Sequence, residues 1–260
     1  MITAGDIYSA LDAAAPFSAQ EAYDNSGLLV GDREKSVKKV LLALDITKDV
    51  VQEAADLGAD LIISHHPVIW GGLKNIDSTH PVWHLITNDI AAICSHTCMD
   101  VAPAGTNAAI GELLAKHLAL GEIKPLEQLS GGRTLGCVAD LTKPVTVQAL
   151  ADVCYAVFGC EDVRCFCPAE SIGRIAWCGG SGGDLLGEAQ AAGADILITG
   201  DVKHSVWCEA ANRRMGLMDC GHCTTELPVL ERFRAILQDA FPHLEITESK
   251  AFAGAPYTIY

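Results

Sequence analysis

The chain has 260 residues, half of them hydrophobic, with 33 acidic and 18 basic side chains and a formal net charge of -15. A chain this long and apolar buries a core as one large or two small domains, which excludes global disorder. The acidity argues against a general nucleic-acid-coating protein, which needs a basic face, while leaving room for a pocket charged by cations.

The first Lys or Arg is Arg33, so residues 1–32 lack the basic start of a secretory signal. No uncharged apolar run approaches the roughly 18 residues of a membrane helix. A soluble cytoplasmic protein without a membrane partner is expected. Asp24 and Asn25 sit in a turn before Gly27, where capping explains them. Residues 38–60 read as strand, loop, helix and Gly-Ala-Asp, and Leu61-Ile62-Ile63-Ser64 reads as a buried strand.

His65 and His66 follow that strand directly, and Pro67 stiffens the exit. Ligands of open α/β sheets gather at the carboxyl ends of strands, so a turn there can aim both imidazoles at one cavity. His96 and Asp100 come next, four apart, a spacing that shares a helix face. A helix is expected near 107–119.

The second half repeats the first. Residues 173–195 align without a gap on 38–60, with Asp49/Asp184, Glu53/Glu188, Ala54/Ala189, Gly58/Gly193, Ala59/Ala194 and Asp60/Asp195 identical. The next strands match as well, Leu61–Ser64 against Ile196–Thr199. Further on, His96 falls on His222 and Asp100 on Glu226, and a second helix is expected over 227–240. Strands alternating with helices predict α/β architecture: two similar halves with largely parallel or mixed sheets flanked by helices. The halves run over 1–126 and 127–260, with Pro125 and Gly131-Gly132 at the join. The tail AFAGAPYTIY is open to crossing back to the first half.

The strand-end pair and the two repeated pairs supply up to six N/O ligands. Mixed imidazole and carboxylate sets suit zinc, iron or manganese. Six is too many for one catalytic zinc with an open position and fits two cations sharing a carboxylate. Asp201, Lys203 and His204 end the strand equivalent to the one before His65, which makes them candidates for substrate contact or proton transfer.

Two motifs offer rival readings. Cys220-Gly221-His222-Cys223 matches the dithiol motif of disulfide isomerases, but its repeat counterpart, Ser95-His96-Thr97-Cys98, keeps the His and lacks the first Cys. Gly179 to Gly183, with Ser181 at the centre, lies between a strand and a helix, where backbone N–H groups can receive an anion or simply close a tight turn. The eleven cysteines are scattered and odd in number, which favours small buried hydrophobes over a disulfide framework.

The stretches DNSGLLVGD, ALDIT, ADLIISHHP, SHTCMDVAPAGTNAAIGELL, TGDVKHS and GHCTTE occur in this order over residues 24–226. As a set they resemble the GTP cyclohydrolase 1 type 2 homolog family, the Nif-three-like dinuclear metal-centre proteins, in its short form without an inserted middle domain. The resemblance implies a Nif-three-like fold and two divalent metal ions per chain. It implies metal ligands at His65, His66, Asp100, His222 and Glu226, with Glu226 bridging. In the family pattern His96 lies beside the metals rather than being a regular ligand, which makes it a candidate catalytic group; His204, from the strand end above, is the other candidate for proton transfer. It also implies a toroidal homohexamer. The chain departs from the family pattern at Tyr23, where a Trp is usual, and at Ser205, where many relatives carry a second His. The expected activity is metal-dependent hydrolysis of a small heterocyclic or phosphorylated molecule. The alternative is a non-enzymatic metal-binding ring that serves as a regulatory or interaction scaffold or handles metal.

Overall fold

The structure is a computed structural model that describes residues 1–129 and 132–251. Gly131 and residues 252–260 of the tail lie outside the described residues. Two compact units are present: one comprises Met1–Ala102 with the described residues from Val229 on, the other Pro103–Pro228.

The first unit is built on a five-stranded sheet. It contains β1 (Gly27–Val30), β2 (Lys39–Ala43), β3 (Leu61–Ser64), β4 (Ala91–Cys94) and β11 (Glu245–Glu248), in the order β1-β4-β3-β2-β11. β2, β3 and β4 are almost wholly buried and nearly all apolar, as parallel strands covered on both faces must be. Only β1 runs antiparallel, on the free side of β4. Leu41, Ala43, Ile62 and Ala92 pack against α2 (Lys48–Leu57) and α3 (Pro81–Thr87) through Val50, Val51, Ala54 and Leu85. Helix α10 (Val229–Ala240) packs on β2 and on α1 (Ala4–Ala14).

The second unit carries a six-stranded sheet. Its strands are β5 (Lys124–Gln128), β6 (Thr134–Val145), β7 (Arg164–Phe166), β8 (Ile172–Trp177), β9 (Ile196–Thr199) and β10 (Gly216–Asp219), in the order β5-β6-β8-β9-β10-β7. β8, β9 and β10 are parallel, and β7 lies antiparallel on β10 as β1 does on β4. One face buries Ile175, Trp177, Ile196, Ile198 and Met218 beneath α6 (Val147–Phe158) and α5 (Thr106–Leu114). The other packs Ala176, Leu197 and Leu217 on α7 (Leu186–Ala191) and α8 (His204–Arg213). Two short helices, α4 (Thr97–Asp100) in the first unit and α9 (His222–Glu226) in the second, follow β4 and β10.

The α/β architecture with two similar sheets is therefore the one read from the sequence. The units divide the chain differently from the halves 1–126 and 127–260. Helix α5 follows α4 in the chain but packs with α6 and β6, and α10 follows α9 but packs with α1 and β2. β11 returns to extend the first sheet by pairing parallel with β2.

The repeated Gly-Ala-Asp has a local physical cause. Gly58 and Gly193 turn the chain out of their helices at φ 66° and 75°, a left-handed conformation open to glycine at no steric cost. Ala59 and Ala194 are buried. The Asp60 carboxylate accepts the N–H groups of Lys38 and Lys39, and Asp195 accepts those of Gly173 and Arg174. Each aspartate thus fixes the start of the neighbouring parallel strand. Asp195→Ala is expected to lower the unfolding free energy by about 1–3 kcal/mol, the worth of charge-assisted hydrogen bonds. Urea unfolding checks this, and an unchanged midpoint would contradict it.

Candidate metal centre

The carboxyl ends of β2, β3 and β4 bring together residues far apart in the chain. Ala43 pairs with Ser64 and Ser64 with Cys94, so the three strands stop level. Asp45 follows β2, His65 and His66 follow β3, and His96 follows β4. One ring nitrogen from each of His65, His66 and His96 lies within 4.8 Å of the others. The ring centroids are 5.1–5.4 Å apart. The Asp100 carboxylate, on α4, comes within 3.5 Å of His65 Nε2.

Each of these histidines is held by its Nδ1. His65 Nδ1 is 3.1 Å from the Ser95 carbonyl, His66 Nδ1 is 2.9 Å from Asp45 Oδ1, and His96 Nδ1 is 2.9 Å from Asp24 Oδ1. All three partners are oxygen acceptors, so Nδ1 carries the proton and Nε2 of the neutral ring keeps a lone pair. This is how metal-ligating imidazoles are oriented by the groups behind them. His65 is fully buried, while His66 and His96 are partly open.

Asp24 is more than the turn cap read from the sequence. Its carboxylate accepts from Asn25 N, Ser26 Oγ, His96 Nδ1, Thr97 N and Thr97 Oγ1. It therefore caps a helix 73 residues away and aims the His96 ring. Burial pushes its carboxyl up, but the bonds from His96 and Thr97 outweigh burial and hold it well below its ordinary 3.8. The neighbouring Tyr23 phenol is pushed up by burial and by the carboxylates of Glu21, Asp24 and Asp100.

The second unit repeats the plan with different side chains. His222 Nε2 lies 3.0 Å from Glu226 Oε2, one turn along α9, and His222 Nδ1 lies 3.4 Å from Asp201 Oδ2. Asp201 takes a left-handed φ of 54° just past β9. Buried Asp219, the last residue of β10, accepts Val202 N and Gly221 N and so ties the two loops together. Glu226 is itself buried. A Cβ on Gly180 would collide with its Oε1, so the backbone at Gly180 leaves the space in which the carboxylate sits.

The glycine run is a close-packed turn rather than an anion cradle. Gly179 N donates to Asn107 Oδ1, Gly180 N to Thr225 Oγ1 and Gly182 N to Thr199 Oγ1. The dithiol reading also finds no support. Cys220 is fully buried, and contacts with Cys154 and Cys160, then burial, push its thiol far up, opposite to a redox-active thiolate. Six of the eleven cysteines, Cys94, Cys98, Cys154, Cys160, Cys178 and Cys220, are buried, and none of these six is in a disulfide.

Of the sequence-predicted residues, the first unit groups His65, His66, His96 and Asp100, and the second pairs His222 with Glu226. His204 is exposed at the start of α8, with Nε2 3.5 Å from Cys208 Sγ on its own helix. The orienting carboxylates Asp24 and Asp45 carry no sequence signal for that role.

The Duf34/NIF3 (NGG1p interacting factor 3) family model matches residues 2–253. The chain belongs to the Duf34/NIF3 family. This Duf34/NIF3 chain is 35% identical over 231 residues to a GTP cyclohydrolase 1 type 2 homolog of Clostridium perfringens, covering 86% of this chain and 87% of that protein. It is 33% identical over 240 residues to the Drosophila melanogaster NIF3-like protein 1, covering 86% and 77%. The structure of a Staphylococcus aureus hypothetical protein superposes with a TM-score of 0.91 at 27% identity, over 100% of this chain and 99% of that one. Among the described residues, no helix is long and apolar enough to cross a membrane.

Asp24 generates a test with a definite sign. A carboxylate whose pKa is depressed by folding contributes stability that is complete above 3.8, the unfolded value, and is lost as pH falls toward the folded one. Asp24→Asn is expected to cost about 2 kcal/mol near neutrality. In urea unfolding the gap to the unsubstituted protein should hold down to about pH 5 and shrink by about pH 3. A gap of one size throughout would contradict the assignment.

Proposed function

We propose that this Duf34/NIF3 protein is a metal-dependent hydrolase of a small heterocyclic or phosphorylated molecule. Its ligands for two divalent cations are His65, His66, Asp100, His222 and Glu226, with Glu226 shared. The observation that carries the reading is the bonding of His65, His66 and His96 through Nδ1 to fixed oxygen acceptors, which leaves a cluster of Nε2 lone pairs beside the Asp100 carboxylate. The donor set fits zinc, iron or manganese, and the space at Gly180 fits the Glu226 carboxylate.

Divalent cations in such a set act as Lewis acids that polarise the bond attacked and acidify water. The chain's own residues do the rest. Asp45, Asp24 and the Ser95 carbonyl hold three imidazoles in one tautomer. His96, with Nδ1 on Asp24, accepts and returns a proton at Nε2. His204, exposed at the solvent side, is the second candidate for proton transfer. Assembly as a homohexameric ring, supported by the family resemblance, belongs to the same reading, and so does a cytoplasmic location, supported by the lack of a basic signal start before Arg33.

Metal analysis after loading with zinc, iron or manganese tests the centre. Two cations per chain are expected, and at least one is lost in Glu226→Ala. A content well under two with every ion supplied would sink the proposal. A screen of nucleotides and phosphoesters should find turnover that falls by about 10²-fold or more in Glu226→Ala. Full metal content without turnover of any substrate would favour the scaffold.

A further inference from the structure

Trp70 is a large aromatic residue that touches the three-histidine cluster while remaining mostly open to solvent. It is 54% exposed. Its ring centroid is 5.3 Å from that of His96, with the planes at 84°. The contact is built in. The Asn25 side-chain amide donates to the Ile69 carbonyl, and the preceding residue, Asp24, holds His96 Nδ1. One short segment therefore holds both the backbone beside Trp70 and the His96 imidazole.

An edge-to-face contact occupies little of an indole, and the remaining surface here faces water beside a polar cluster. Exposed apolar rings held in place next to a site mark a contact surface for a ligand. A flat ligand covers an indole face far better than an aliphatic or phosphate group does, because stacking depends on parallel planes. A ring lying on Trp70 would stand nearly perpendicular to the His96 imidazole.

We propose that Trp70 is the stacking wall of a binding site for planar nitrogen heterocycles at the three-histidine cluster. This rests on the reading of the cluster as the metal centre of a hydrolase, and it selects the heterocyclic substrate class over simple phosphoesters.

Calorimetric titration of the zinc-loaded full chain with guanosine, adenosine, cytidine and ribose 5-phosphate tests it. At least one nucleoside should bind, and more tightly than ribose 5-phosphate. Trp70→Leu should weaken that binding by about tenfold or more, and Trp70→Phe by about threefold or less. Trp83→Leu, which removes another exposed indole of the same unit, should change nothing. Zinc content should be equal in all four proteins. Unchanged affinity in Trp70→Leu, no binding of any nucleoside, or equal binding of ribose 5-phosphate would overturn the proposal. So would a changed sedimentation mass in Trp70→Leu, since a subunit contact would then account for the residue. A zinc content under two in the unsubstituted protein would defeat the metal centre, whatever Trp70 does.

Discussion

The parallel pairing of β3 with β4 is the constraint on which the histidine cluster depends. Ser64 opposite Cys94 makes the two strands end level, and the loops beyond are then stitched atom by atom. Ser95 N donates to the Ser64 carbonyl, Cys94 Sγ to the His65 carbonyl, and His65 Nδ1 to the Ser95 carbonyl. A one-residue slip would turn every side chain of the strand to the opposite face and break all three contacts. The second unit makes the same pairing: Thr199 lies opposite Asp219, and Cys220 N donates to the Thr199 carbonyl. The loops carrying Asp201 and His222 are thereby placed side by side.

The repeat varies this plan in a chemically meaningful way. Its gapless alignment sets Asp45 against Gly180 and His66 against Asp201. In the first unit the aspartate after β2 reaches forward to orient His66. In the second unit glycine at that place gives its space to the longer Glu226. One scaffold thus yields an imidazole-rich pole with a short carboxylate and an imidazole paired with a long, buried one. Part of the net charge of -15 belongs to these carboxylates, which are bonded to imidazoles and backbone N–H groups rather than spread over a solvated surface.

Much of this was legible in the sequence because it is periodic or local. Apolar runs gave β2, β3, β8 and β9, the Gly-Ala-Asp identities marked helix ends, and the spacing of His222 and Glu226 placed them on one helix face. What stayed hidden depends on contacts between distant segments. Nothing near Asp24 announces that it caps a helix 73 residues away, and nothing near Asp45 announces His66, 21 residues on. The return of β11 to β2 and the packing of α5 and α10 are choices of tertiary structure, which is why the compact units depart from the repeat halves. The glycine run reads as open to an anion because sequence does not show that Asn107, Thr199 and Thr225 already take three of its N–H groups.

We propose that His65, His66, Asp100, His222 and Glu226 hold two cations. A crystal structure of the zinc-loaded protein, with anomalous scattering recorded at the zinc edge, tests it most directly. Two peaks per chain are expected, ligated by imidazole nitrogens and carboxylate oxygens of those five residues. No peak at the histidine cluster, or zinc held instead by cysteine sulfur, would contradict it.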